Sequence, residues 1–376
     1  MNILYIEPYF ADSHKRWIES YQKHSKHKIE ILSLPGNKWK WRMHGGAITL
    51  SEMFKKNKQK YDLLICSDFL NLPVFKSMCL KELDNVPIAM YFHENQLAYP
   101  WPEHDDDLKL KRDLHYHYIN QTSAMAADWN YFNSKYNLES FKNELAVYLK
   151  KMPDFQNVDS IDRIDRKSSV LHLGCNLSAH NEFEEKYENE IPVILWNHRW
   201  EYDKNPNLFF ETLFKIKDRG GDFKLVLLGE KFSSYPDIFN IAEQRLKENI
   251  LHIGYCDGFK EYSKWLWRSD ILPVTSNQDF FGISIVEASY CNTYPILPKK
   301  LSYPELFNAE CNSSIFYENK KDFYEILSKA IQGHLKLKNY SNLMKIYDWK
   351  TIISKYDKTF EKLAFGPKNN YGSNTS

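Results

Sequence analysis

The chain has 376 residues, 43% of them hydrophobic and 15% aromatic, with 50 Lys/Arg against 49 Asp/Glu, a net charge of +1. That length suggests two domains, the apolar content is enough for sizeable cores and argues against a disordered chain, and the balanced global charge points to no class of partner. Charge is uneven locally: residues 14–60 hold twelve Lys/Arg and three acids. The predicted elements alternate from the start. A buried-strand pattern at Ile3–Ile6 leads through EPYFADSHK into a helix from about Arg16, and Ile29–Leu34 leads into GNKWKWRMHGG. Further strands are expected at Asp62–Cys66, Ile88–Phe92, Trp129–Asn133 and Val170–Leu173. Between Asn176 and Glu190 the chain turns acidic and loses periodicity. A second series follows at Val193–Trp196, Phe223–Leu228, Ile250–Ile253, Ile271–Val274, Tyr294–Leu297 and Ser314–Tyr317, with a helix near Leu208–Lys217.

Strands alternating with helices predict α/β architecture: two Rossmann-like, doubly wound parallel-sheet domains with an interdomain cleft. We divide the chain into residues 1–178, a linker at 179–190, a second domain at 191–348, a helix at 349–365 that could cross back, and a flexible tail at 366–376. GxGxxG is absent near the first strand, which disfavours a nicotinamide or flavin domain. The six cysteines show no metal-ligand spacing, so buried free thiols are expected. The first ten residues lack the basic and apolar regions of a secretory signal, and no apolar run reaches the 18 or so residues of a membrane span. A cytoplasmic protein without a membrane partner is expected.

Open α/β sheets bind ligands at the carboxyl ends of their strands, so the loops there carry the candidate chemistry. After Val193–Trp196 comes WNHRWEYDKNP, in which Arg199 and Lys204 could hold a diphosphate, each charge-assisted hydrogen bond contributing roughly 1.5–3 kcal/mol. The other reading is a solvated charged loop. Some 75 residues on, TSNQDFFGISIVEASYCNTYPILP places Asp279, then Phe281, Gly282 and Ile283, then Glu287 where a loop enters a helix. Gly282 permits close backbone approach and the helix N-terminus favours electron-rich oxygens, as a polyhydroxylated, phosphorylated ligand requires. An ordinary βα connection is the alternative. His93, Glu94 and Asn95 follow the strand Ile88–Phe92; a histidine there could bind a sugar hydroxyl or steer a proton, although such a residue is commonly structural. Ser13, His14 and Lys15 lie at the same level after the first strand and could line the acceptor side. Asp105-Asp106-Asp107 invites a metal-binding DxD reading, but acids at a helix start are favoured by the helix dipole. Lys38-Trp39-Lys40-Trp41-Arg42 interleaves cations with aromatics, a pattern suited to single-stranded RNA; a solvated helix with buried tryptophans is its alternative.

Together these residues resemble the retaining GT-B glycosyltransferases that use nucleotide sugars. The resemblance implies that Arg199 and Lys204 bind the donor diphosphate, that Glu287 binds the ribose, and that Asp279, Phe281, Gly282 and Ile283 hold the donor sugar against His93. A narrower resemblance covers almost the whole chain. SHK, KWKWR, SDFLNL, YFHENQLAYP, FNSKYNLESF and TSNQDFFGISIVEA are similar to the tRNA-queuosine mannosyltransferase family. It implies transfer of mannose from GDP-mannose to the cyclopentene-diol of queuosine at the wobble position of a tRNA, in α linkage; with Arg199 and Lys204 to stabilise the departing diphosphate, no metal is expected to be required. One departure is Asp279, where that family usually has Glu. The partners implied are a nucleotide sugar and queuosine-containing tRNA, the latter meeting Ser13, His14, Lys15, residues 38–42, Glu94 and Asn95. Lys204→Ala is expected to reduce activity far more than folding. A glycosyltransferase for lipid-linked or cell-wall acceptors, a sugar epimerase, and a non-catalytic RNA-binding protein with this fold are the competing readings.

Overall fold

A computed structural model of the chain describes residues 1–367 except 58, 84, 102–104, 111–113, 186–187 and 230–234; most of the expected tail lies outside the described residues. Among the described residues, twelve strands form two six-stranded, all-parallel sheets. The first contains β1 (Asn2–Phe10), β2 (Lys28–Pro35), β3 (Leu63–Ser67), β4 (Ile88–Phe92), β5 (Trp129–Phe132) and β6 (Ser168–Val170), in the order β2-β1-β3-β4-β5-β6. The second contains β7 (Val193–Asn197), β8 (Lys224–Leu228), β9 (Ile250–Gly254), β10 (Ile271–Pro273), β11 (Tyr294–Pro298) and β12 (Phe316–Tyr317), in the order β12-β11-β10-β7-β8-β9. β3, β4, β7 and β11 are buried throughout, which is why their sequences are unbroken apolar runs rather than alternating ones. All twelve expected strands are present. β6 and β12 are shorter or displaced relative to the sequence reading, because Ser313–Ile315 coils into a 3-10 turn and the chain beyond Val170 leaves the ladder.

Strand order fixes where ligands can go. In each sheet the crossovers reverse direction at one place, between β1 and β3 in the first and between β7 and β10 in the second. The loops leaving such a switch point diverge and open a crevice at the strands' carboxyl ends. Beyond β1 the helix Asp12–His24 starts earlier than the expected Arg16, so Ser13 and His14 sit in its first turn rather than in a loop; the β3 loop carries Asp68, and the β7 and β10 loops carry Arg199, Lys204 and Asp279.

Several contacts join the halves. The last helix, Trp349–Phe365, lies against the first half: Trp17 donates to the Tyr356 hydroxyl (3.2 Å), Tyr21 to Asp357 (3.2 Å), and Tyr356 to the carbonyl of His172 (2.7 Å). The stretch read as a linker begins with a 3-10 helix, Leu177–Phe183, whose buried His180 meets Ser263 of the second half at 2.8 Å. Nearer the cleft, Ser134 donates to the Phe280 carbonyl and Tyr202 to the Pro100 carbonyl.

Candidate active site

The two switch points face one another across a cleft of about 960 Å³. From the first half Ser13, His14, Trp39, His93 and Glu94 line it; from the second, Arg199, Lys204, Asp279, Phe281, Gly282 and Ile283. Residues separated by up to 270 positions are thus brought to one space.

On the second half, Lys204 is the hub. Its ammonium donates to Asp279 Oδ1 (2.9 Å) and to the Gln278 carbonyl (2.8 Å), and lies 3.1 Å from Asp203 Oδ2. Burial by itself would push the Asp279 carboxyl up; Lys204, helped by His198 and a hydrogen bond from Tyr303, holds it below the usual carboxylate range. Burial likewise disfavours a charged lysine, and the Asp279 and Asp203 carboxylates outweigh it, so the ammonium persists. A fully formed ion pair therefore stands at the cleft floor. It changes the expectation for Lys204→Ala, since removing one member strands buried carboxylates and costs about 3–5 kcal/mol of stability. Arg199 sits higher, half-exposed, with Glu201 at 3.1 Å.

Gly282 enters the helix Ile283–Tyr290 at φ +87°, and a Cβ built there would come within 3.1 Å of Ile285 and Tyr303. Only glycine takes that backbone without strain, and it leaves the first amides of the helix open to the cleft. Glu287 lies a turn further in, nearly buried, outside the cleft lining, with Tyr262 donating to its Oε2 at 2.8 Å.

On the first half, the His93 and His14 rings lie against each other, tilted by 31°, with centroids 4.1 Å apart. Glu7 anchors His14 at 2.9 Å and also accepts from Tyr5, Ser67 and the Tyr9 amide. Burial would lower His14, yet the Glu7 carboxylate raises it to about 9, so it is an imidazolium at neutral pH. Burial and that neighbouring cation together push His93 well below the ordinary histidine range. His93 Nε2 is buried without a hydrogen-bond partner, while its backbone amide is held by Asp68 (3.0 Å). The pair is thus one charged and one neutral ring.

Not every candidate reaches the cleft. Asn95 is fully buried, donating to Asn137 and Ser140 and accepting from the Ala98 amide, so it locks the 93–98 loop and cannot meet an acceptor. The 38–42 run is divided by helix geometry in the helix Trp39–Lys56. Trp39 turns into the cleft against Trp101 and Tyr116, whereas Trp41 is 65% exposed on the outside. Lys40 is spent on Asp105 (2.6 Å) and Asp107 (2.7 Å), and Arg42 on the Pro35 carbonyl and Asn37. The triple acid does cap: Asp105 accepts from the Asp107 amide at 2.9 Å, and it also neutralises Lys40. Lys15 and Lys38 lie outside the lining.

Five further residues belong to this site without a sequence motif to mark them: Arg16, His198 and Asp203 line the cleft, Glu7 holds His14, and Asp68 holds the His93 amide. A charged residue directly after or inside an apolar strand run, as at Glu7 and Asp68, is the signal that could have found two of them. Among the described residues, one group with metal-ligand character exists, His252, Cys256 and Glu261, and it lies outside the cleft lining.

Residues 2–175 match the family described as tRNA-queuosine alpha-mannosyltransferase N-terminal, and residues 179–345 match glycosyl transferases group 1. The chain is 33% identical over 318 residues to the tRNA-queuosine alpha-mannosyltransferase of Drosophila melanogaster, covering 82% of each protein. Among solved structures it is similar to sucrose-phosphate synthase from Thermosynechococcus elongatus, at 13% identity with TM-score 0.69, covering 96% of this chain and 99% of that one. It is also similar to Anabaena HepE in complex with UDP, at 14% identity with TM-score 0.64, covering 96% and 100%. Identities that low show the fold alone, and that fold is GT-B.

Proposed function

This chain belongs to the tRNA-queuosine alpha-mannosyltransferase family, and from that premise we propose how its residues divide the work. The donor is GDP-mannose, held by the 191–348 half. Arg199 and Lys204 take the diphosphate, Glu287 takes the ribose through the oxygen opposite Tyr262, and Asp279 with the 281–283 backbone orients the hexose against neutral His93. The 1–178 half takes the queuosine-bearing anticodon of the tRNA, with residues 179–190 joining the two.

The observation that carries this reading is the Lys204–Asp279 ion pair at one switch point, facing His93 at the other. A buried ammonium between two carboxylates is a fixed cation that needs little reorganisation when a phosphate arrives, and preorganised charge of that kind stabilises a departing nucleoside diphosphate. His93, uncharged, can donate to or accept from a sugar hydroxyl without repelling Lys204. Asp203 and Asp279 on the donor half are both tied to Lys204 and so are not free nucleophiles, and the acceptor hydroxyl attacks the anomeric carbon on the face the diphosphate leaves. Same-face attack retains the configuration, and the departing phosphate oxygen receives the proton of the acceptor hydroxyl. Bringing both substrates into one cleft makes the step effectively unimolecular.

The test is incubation with GDP-mannose and queuosine-containing tRNA, followed by mass spectrometry of the nucleosides. A gain of one hexose on queuosine is expected, undiminished by EDTA. Transfer only from another nucleotide sugar overturns the donor, and loss with EDTA overturns the metal-free route.

A further inference from the structure

Among the described residues, five carboxylates line the cleft: Glu94, Asp105, Glu201, Asp203 and Asp279. Four already have a cation within 3.1 Å: Lys40 on Asp105, Arg199 on Glu201, and Lys204 on both Asp203 and Asp279. Glu94 forms no ion pair among the described residues. Its one hydrogen bond comes from the Gln96 side-chain amide to Oε1, at 2.7 Å.

The loop that presents Glu94 is rigidly held. The Gln96 backbone amide donates to Asn120 (2.7 Å), Asn95 is fixed on Asn137 (2.7 Å), and the Ala98 amide closes the turn on Asn95 (2.8 Å). Gln96 is itself buried. The carboxylate is therefore oriented before any ligand arrives, with Oε2 open and Oε1 half used. An ionised carboxylate only accepts hydrogen bonds, and its two oxygens suit two hydroxyls on adjacent carbons. Burial raises the Glu94 carboxyl, with His14 and Arg199 pulling it down, as expected of an acid placed between the halves.

We propose that Glu94 is the acceptor-reading residue of this site: its carboxylate receives the two vicinal cis-hydroxyls of the acceptor and aligns one of them toward the donor. This rests on the acceptor assignment above. The chemical class it selects is a cis-diol, and a tRNA bearing the same 7-deazaguanine with only an aminomethyl group offers it nothing.

Wild type and Glu94→Gln are compared, with Glu94→Asp as the partial rescue and as the fallback should the glutamine variant fail to fold. In Glu94→Gln, KM for queuosine-tRNA is expected to rise about 10–100-fold, the range of one lost charge-assisted bond. The Kd for GDP should stay within about 2-fold, since the donor half is untouched. Binding of the aminomethyl tRNA should be equally weak in both proteins, so that the preference for the diol collapses only in the variant. An unchanged KM for queuosine-tRNA, or a loss confined to donor binding, overturns the proposal. If wild type itself puts no hexose on queuosine, it is the acceptor assignment that fails; if wild type transfers and the variant still prefers the diol, only Glu94 is wrong.

Discussion

Lys204 belongs both to the proposed donor site and to the buried ion pairs that support the fold, so a single substitution tests both. Replacing it by Ala removes the proposed diphosphate cation, which is expected to reduce kcat by about 10²–10³-fold, the scale of losing one preorganised charge. The same change leaves Asp203 and Asp279 facing each other in a buried site, so unfolding free energy falls by about 3–5 kcal/mol. A Lys204→Met, Asp279→Asn double variant removes that mismatch. It should recover most of the stability in denaturant titration while staying inactive, which separates the two effects. His14 makes a second prediction. Its folded pKa of about 9 lies above the ordinary 6.5, so its bond to Glu7 stabilises fully below pH 6.5 and that contribution is lost as pH rises through about 9. Melting temperatures measured at pH 7 and pH 10 should fall in the wild type, and Glu7→Gln should flatten that dependence.

At the scale of an element, the β10 loop and the helix Ile283–Tyr290 act as one unit, because Gly282 sets the angle at which the helix meets the cleft. Gly282→Ala forces a Cβ into the left-handed region at a cost of about 1–2 kcal/mol, and against Ile285 and Tyr303 besides. The helix start should shift by a few tenths of an ångström. The expected result is a modest drop in melting temperature with a larger rise in KM for the nucleotide sugar than for the tRNA. An equal rise in both would mean that the loop does not hold the donor. The helix Trp39–Lys56 shows the opposite situation, in which an element's geometry redistributes a sequence motif. Its alternate residues point to opposite sides, so one tryptophan of KWKWR enters the cleft and the other faces solvent.

At the scale of the whole molecule, the helix Trp349–Phe365 returns from the end of the chain to complete the core of its beginning. Phe360 is fully buried, with its ring against Tyr21 and Tyr131 at centroid distances of 5.8 and 5.3 Å. Phe360→Ala should therefore cost about 3–5 kcal/mol. It should loosen the first half specifically, read as faster amide exchange in β1, β4 and β5 with β7 and β8 little changed. Uniform destabilisation of both sheets would show instead that the halves unfold together. The same helix, with the Ser134–Phe280 and Tyr202–Pro100 contacts, sets the distance between the switch points and so the width of the cleft.

The existence of twelve strands, the paired parallel sheets and the candidate donor loop are legible along the chain, though β6 and β12 fall short of or beside their expected positions. Apolar runs bounded by polar turns are local signals, and Arg199, Lys204, Asp279 and Gly282 follow such runs at readable spacing. Much of the site's chemistry was decided only by tertiary structure. That Lys204 spends its charge on Asp279, that Glu7 charges His14, and that Asn95 turns inward while Glu94 stays open depend on which loops the strand order brings together. The physical reason is that a charge's behaviour is set by its neighbours within a few ångströms. In this fold those neighbours come from positions 7, 93, 199 and 279, whose proximity no local pattern records.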